Sequence, residues 1–162
     1  DPSISEVPRS EGHRRLDALV GLWDTHTELH LEALGRAVEA DGSVEKTWTL
    51  GGRFLREDLA GVGEDGEPLL GLGFLGYDPD EGRYQGVWLS TGALGMGIHH
   101  GRWDGQSILF EGEEPAPGGR RRFRATLTIE GPDRHVLAQS FRDLRGVWAP
   151  AFRITYTRAE PG

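Results

Sequence analysis

The 162-residue chain contains no cysteine. That excludes disulfides, a thiolate metal site and a cysteine nucleophile, and it leaves the redox compartment open. No apolar run approaches the roughly 18 residues that a membrane-spanning helix needs. No apolar leader-like segment opens the chain either, so a cytoplasmic location is the expectation, with a leader removed before Asp1 left open. Positive charge is the minority: 18 Lys and Arg stand against 26 Asp and Glu, for a net charge of −8. That balance argues against nucleic acid and anionic membranes as partners. The one basic cluster, Arg120-Arg121-Arg122 with Arg124, reads as a solvated strand start after the turn Pro117-Gly118-Gly119. The Gly-rich segment Gly92–Gly97 lacks the Lys-Ser/Thr tail and following helix of a phosphate loop, and reads as a hairpin at a rim. A Ser-His-Asp order, a metal-spaced cluster and a nucleotide fingerprint are also missing.

What is abundant is glycine, 25 residues, scattered between apolar runs without a period. That distribution suits tight turns and bulges in an all-β domain. The length fits one domain. Residues 1–8, with two prolines and no periodicity, read as an arm before a single domain over 9–160. A helix is expected over 10–20, with Ser10 as N-cap, an apolar face of Leu16, Leu19 and Val20, and Gly21 as its end. Strands follow at near-regular spacing: 23–32, 38–50, 53–62, 69–77, 83–91, 96–103, 107–113, 122–130, 135–144 and 151–158. Turns such as Asp104-Gly105 and Glu130–Asp133 separate them. About ten strands joined by two to six residues favour an antiparallel up-and-down barrel over a Greek-key sandwich.

The run Leu19-Val20-Gly21-Leu22-Trp23 sharpens that reading. A Gly-x-Trp at the mouth of the first strand resembles the device of lipocalin-type barrels, in which the ring plugs one end. The segments His13–Trp23, Leu50–Glu57, Gly71–Asp78, Gly101–Asp104 and Ile154–Arg158, in that order, resemble DUF1579. This is a bacterial family of unknown function whose members are similar to lipocalin-like barrels. The resemblance implies a barrel with a cavity, and it carries no established catalytic residues. Three positions depart from the family pattern: His100 replaces a frequent Glu, and Ser90 and Arg153 replace acidic residues. They suggest either a retuned cavity or drift.

Strand parity proposes the site. Adjacent residues on a strand point to opposite faces, so only one of His99 and His100 can enter the barrel. Ile98 and His100 share one face, and His99 shares the other with Trp103. The expected cavity wall is Leu55, Glu57, Phe74, Trp88, Ile98, His100 and Tyr156, with the caution that a one-residue bulge inverts parity. Glu57, between Leu55 and Leu59, is a carboxylate on an apolar face and must be paired or carry a raised pKa. A salt bridge to Arg142 or Arg153 is the structural explanation, and a general acid or base the chemical one. His26 and His30, roughly 13 Å apart on one strand face with Asp24, Glu28 and Glu32, read as solvated exterior. No metal site is expected.

The leading function is therefore a small-molecule-binding barrel that holds a mostly apolar ligand. One alternative is a cofactor-free enzyme of cyclase, isomerase or dehydratase type, with Glu57, His100 and Tyr156 as catalytic candidates and Arg153 beside them. Another is a haem-binding barrel resembling nitrobindin, with His99 or His100 on the iron. The expected partner is a small apolar or aromatic molecule, without nucleic acid or membrane, and a homodimer is left open.

Overall fold

A computed structural model describes residues 8–31, 35–63, 66–143 and 145–160. The arm expected over 1–8 lies outside them apart from Pro8, as do Glu32 and Leu144, the last residues of two expected strands. The helix is shorter than expected. α1 spans Glu11–Arg15 and passes into a single 3-10 turn, Leu16–Leu19. Ser10 is its N-cap, and the Ser10 N–H donates to Nδ1 of His13 at 3.0 Å, where a capping box ordinarily places Glu or Gln.

Ten antiparallel strands follow: β1 Gly21–Leu31, β2 Arg36–Thr49, β3 Phe54–Val62, β4 Pro68–Asp78 and β5 Arg83–Ser90. The second half is β6 Gly97–Trp103, β7 Ser107–Ala116, β8 Gly119–Gly131, β9 Arg134–Arg142 and β10 Trp148–Arg158. Each pairs with its sequence neighbour, and β1 also pairs with β10, so the meander closes into a barrel. Closure leaves no exposed sheet edge. The expected architecture is the observed one. Among the described residues no helix is long and apolar enough to cross a membrane.

The barrel is closed at one end. Leu16 and Leu19 are fully buried in a core with Tyr84, Ile108, Phe110 and Leu127. Three interactions bolt the helical segment down. Trp23 donates from Nε1 to the Leu19 carbonyl at 2.7 Å, Tyr84 donates to the Gly12 carbonyl at 2.8 Å, and Trp48 donates to Asp17 at 2.8 Å. Gly12 is required here, because a Cβ at that position would run into the Tyr77 ring. Trp23 is wholly buried, with the Arg158 guanidinium 4.3 Å from its ring and the His135 ring edge-on at 4.3 Å.

The inner face of the barrel follows a rule of small against large. Gly71 and Gly73 make room for Trp88, Gly86 for His99, Gly101 for Phe110, and Gly112 for Phe123. A Cβ on Gly101 would lie 2.5 Å from the Phe110 ring. At these positions of β4, β5, β6 and β7 glycine is used for space rather than for backbone freedom.

Candidate functional site

The interior encloses a cavity of about 1610 Å³ that opens at the end away from α1. Its walls are largely apolar and include Leu29, Leu59, Trp88, Phe123, Leu137 and Ile154. At the deep end, next to Trp23, four polar side chains converge: Lys46, Glu57, His135 and Tyr156.

Strand register brings them together. Lys46 on β2 stands opposite Glu57 on β3, and His135 on β9 stands opposite Tyr156 on β10. β1 lies between the two pairs, and its Gly21 is the register partner of Lys46. The missing side chain at Gly21 leaves room for the Arg158 guanidinium. The Lys46 ammonium donates to Nε2 of His135 at 3.0 Å and lies 4.2 Å from the centre of the Tyr156 ring. The His135 and Tyr156 rings stack with centroids 4.3 Å apart. The Tyr156 hydroxyl donates to Glu57 over a long 3.5 Å.

Burial sets the electrostatics of this cluster. It pulls Lys46 below the ordinary lysine value, opposed by the negative charge of Glu57. It holds His135 down to about 2, helped by Lys46 and Arg158, so the ring is neutral and its Nε2 is free to accept. Tyr156 is pushed well above its ordinary value by burial first and by Glu57 second, so its hydroxyl remains a donor.

Leu55, Glu57, Trp88 and Tyr156 line the cavity, as parity predicts. Two other assignments differ. Ile98 and His100 lie on the outer face of β6. Ile98 is 46% exposed, and His100 is exposed between Gln85 and Glu111. His99 is the residue that enters, edge-on to Phe110 at 5.2 Å. The reason is that Gly97 faces Trp88 from the inside, which fixes Gly97, His99, Gly101 and Trp103 as the inward row. Phe74 also lines the cavity, although its register partner on β3 is the exposed Arg56.

Glu57 does not meet the arginines expected for it. Arg153 is exposed on the outer face of β10, and Arg142 is exposed at the mouth. Of the three departures from the family pattern, only Ser90 lines the cavity. The Arg120–Arg122 run is the exposed start of β8, in ion pairs with Glu113 and Glu114. Outside the barrel, His26 bonds Asp41 at 2.8 Å and lies near Glu28 and Glu39, on an exposed surface.

Neither histidine suggested for haem fits that role. His99 is held neutral, down to about 4, by burial and by His100, but its Nε2 abuts the β5 main chain at Gly86. His100 is outside. Lys46 and His135 are the functional candidates that sequence reasoning missed. Lys46 alternates with Val44 and Trp48 on the inward face of β2, which is the signal that a charge lies inside.

No curated protein sequence matches the chain. Solved structures do match in fold. Rv2717c from M. tuberculosis is 18% identical with a TM-score of 0.71, over 94% of this chain and 100% of that one. The S-type phycobiliprotein lyase CPES from Guillardia theta is 16% identical with a TM-score of 0.64, over 95% and 96%. The barrel EF1p2_mFAP2b bound to DFHBI is 12% identical with a TM-score of 0.50, over 91% and 98%. At such identities the likeness is one of fold. At the level of sequence family, residues 8–158 match DUF1579, a family described as protein of unknown function, and the chain belongs to it.

Proposed function

We propose that the protein is a small-molecule-binding barrel that takes a mostly apolar ligand into its interior and orients it by the polar groups at the deep end. The observation that carries this reading is the cavity itself. It has about 1610 Å³ behind an open mouth, apolar walls and a few convergent polar groups. A barrel filled by its own side chains would have no such space. Pockets with this division between apolar wall and sparse polar contacts are what small-molecule sites use. The DFHBI complex of a barrel of similar fold supports the reading, since that barrel holds a small molecule.

Nile red, an uncharged apolar dye, tests it. One dye per chain should bind with blue-shifted emission. Leu59→Trp, which adds bulk to the wall, should weaken that binding by about tenfold while the melting temperature stays within ~4 °C. Absence of stoichiometric binding, or binding indifferent to the wall substitution, overturns the reading.

One observation favours a second reading, a cofactor-free enzyme in the same chamber. Glu57, Tyr156 and Lys46 bring an acceptor, a hydroxyl donor and an amine together at one end of an apolar cavity. Conversion of a captured ligand by the wild type but not by Glu57→Gln distinguishes that reading from simple storage.

A further inference from the structure

The polar floor has more hydrogen-bonding capacity than the protein uses. Lys46 carries three N–H donors, and among the described residues it makes one hydrogen bond, to His135. The Tyr156 ring face lies under the ammonium and accepts charge without filling a directional bond. Glu57 has two carboxylate oxygens and receives one long bond from Tyr156. His135 and Tyr156 are committed to each other by stacking and to these two partners. The unused donors of Lys46 and the unused acceptors of Glu57 therefore stand side by side, in register across β2 and β3, at the end of the cavity.

Charge then selects among head groups. The floor holds one basic side chain, Lys46, and one acidic side chain, Glu57. An added anion drawn to Lys46 meets Glu57, and an added cation drawn to Glu57 meets Lys46, in apolar surroundings where such repulsion is poorly screened. A wholly apolar ligand removes water from both charged groups and returns no hydrogen bond to either. A neutral group with an acceptor beside a donor satisfies both at once.

We infer, on the ligand-chamber reading above, that the Lys46–Glu57 floor recognises a neutral head group bearing a carbonyl acceptor next to an N–H or O–H donor, as in a carboxamide or hydroxy-ketone, on an apolar ring body. The carbonyl faces Lys46 and the donor faces Glu57. Tyr156 and His135 position the two charged groups and make no contact of their own with the head.

A matched naphthalene series tests this by calorimetry at neutral pH, with 2-naphthamide, 2-methylnaphthalene, 2-naphthoate and 2-naphthylmethylammonium as probes. The amide should bind about tenfold tighter than each of the other three, the scale of one or two well-placed hydrogen bonds to charged groups. Lys46→Met and Glu57→Met should each reduce amide affinity by about fivefold or more and leave 2-methylnaphthalene bound at least as tightly as in the wild type, since the desolvation cost is removed. Lys46→Met also removes the donor to buried His135. If it fails to fold, Glu57→Met, whose side chain borders the cavity, carries the test alone. Tightest binding by 2-naphthoate overturns the inference in favour of an anion site. Equal amide binding in wild type and variants overturns it in favour of a structural floor. If Nile red binds but the amide is no better than 2-methylnaphthalene, this inference fails and the chamber reading stands. If neither Nile red nor any naphthalene binds, both fail.

Discussion

Truncation of Trp23 is the perturbation whose cost the structure defines most fully. The side chain is wholly buried where β1 leaves the 3-10 turn. Its ring meets Val44 and Tyr156 in one apolar cluster, the edge contact with His135 on one side and the Arg158 guanidinium on another. Its N–H holds the Leu19 carbonyl at 2.7 Å, and Leu19 is itself 1% exposed. Trp23→Ala therefore loses two things. Removing a core aromatic costs about 3–5 kcal/mol through lost burial and the cavity left behind. Leaving a buried carbonyl without its donor adds about 1–3 kcal/mol. The sum, about 4–8 kcal/mol, is comparable to the whole stability of an ordinary domain at ~5–15 kcal/mol. Trp23→Phe separates the terms, since it keeps most of the ring and drops the N–H. Its cost should be about 1–3 kcal/mol, mostly the unsatisfied carbonyl. Urea unfolding followed by far-ultraviolet circular dichroism measures both, because that signal does not depend on the tryptophan removed. A cost below about 1.5 kcal/mol for Trp23→Ala, or equal costs for the two variants, would refute the plug argument.

Three further outcomes follow from individual contacts. Between pH 7 and 4.5 the fold should lose stability through His99 and His135. Their folded pKa values of about 4 and about 2 lie below the ordinary 6.5, so the unfolded chain takes up protons first. This contribution is complete above pH ~6.5 and is lost as the pH falls, at about 2–3 kcal/mol per histidine by pH 4.5, and His99→Phe should flatten that limb of the stability curve; an unchanged slope refutes it. Gly86→Val should cost about 1–3 kcal/mol in chemical denaturation, because the new side chain occupies the place of the His99 ring; a neutral result would mean that His99 is not packed there. Tyr84→Phe should cost about 1–2 kcal/mol in the same assay and loosen α1, since the Gly12 carbonyl loses a buried donor at 2.8 Å, and unchanged amide exchange in α1 argues against it.

The fold was readable because its signals are local. Turn residues punctuate near-regular runs, and short connections leave a meander few ways to finish other than closure. The site was readable only where the inner face is apolar. On β3, Leu55, Glu57 and Leu59 alternate with Arg56 and Asp58, so the inward row declares itself and Glu57 stands out as a charge among leucines. On β6 the same reasoning selects the wrong row. The inward residues Gly97, His99, Gly101 and Trp103 contain one large apolar group, whereas Ile98 on the outer row draws the eye. Hydrophobicity measures what a residue buries, but at these positions the interior is filled from the neighbouring strands by Trp88 and Phe110, and what the packing requires is absence of bulk. Glycine at alternate positions of β6 was thus the interior marker, and its meaning depends on which strand lies alongside. The same dependence hid the floor. Lys46 and His135 are 89 residues apart, and nothing local to either indicates that the closed barrel brings them face to face. A lysine–histidine contact across a closed barrel is a property of closure, so it becomes visible only once the order and register of all ten strands are known.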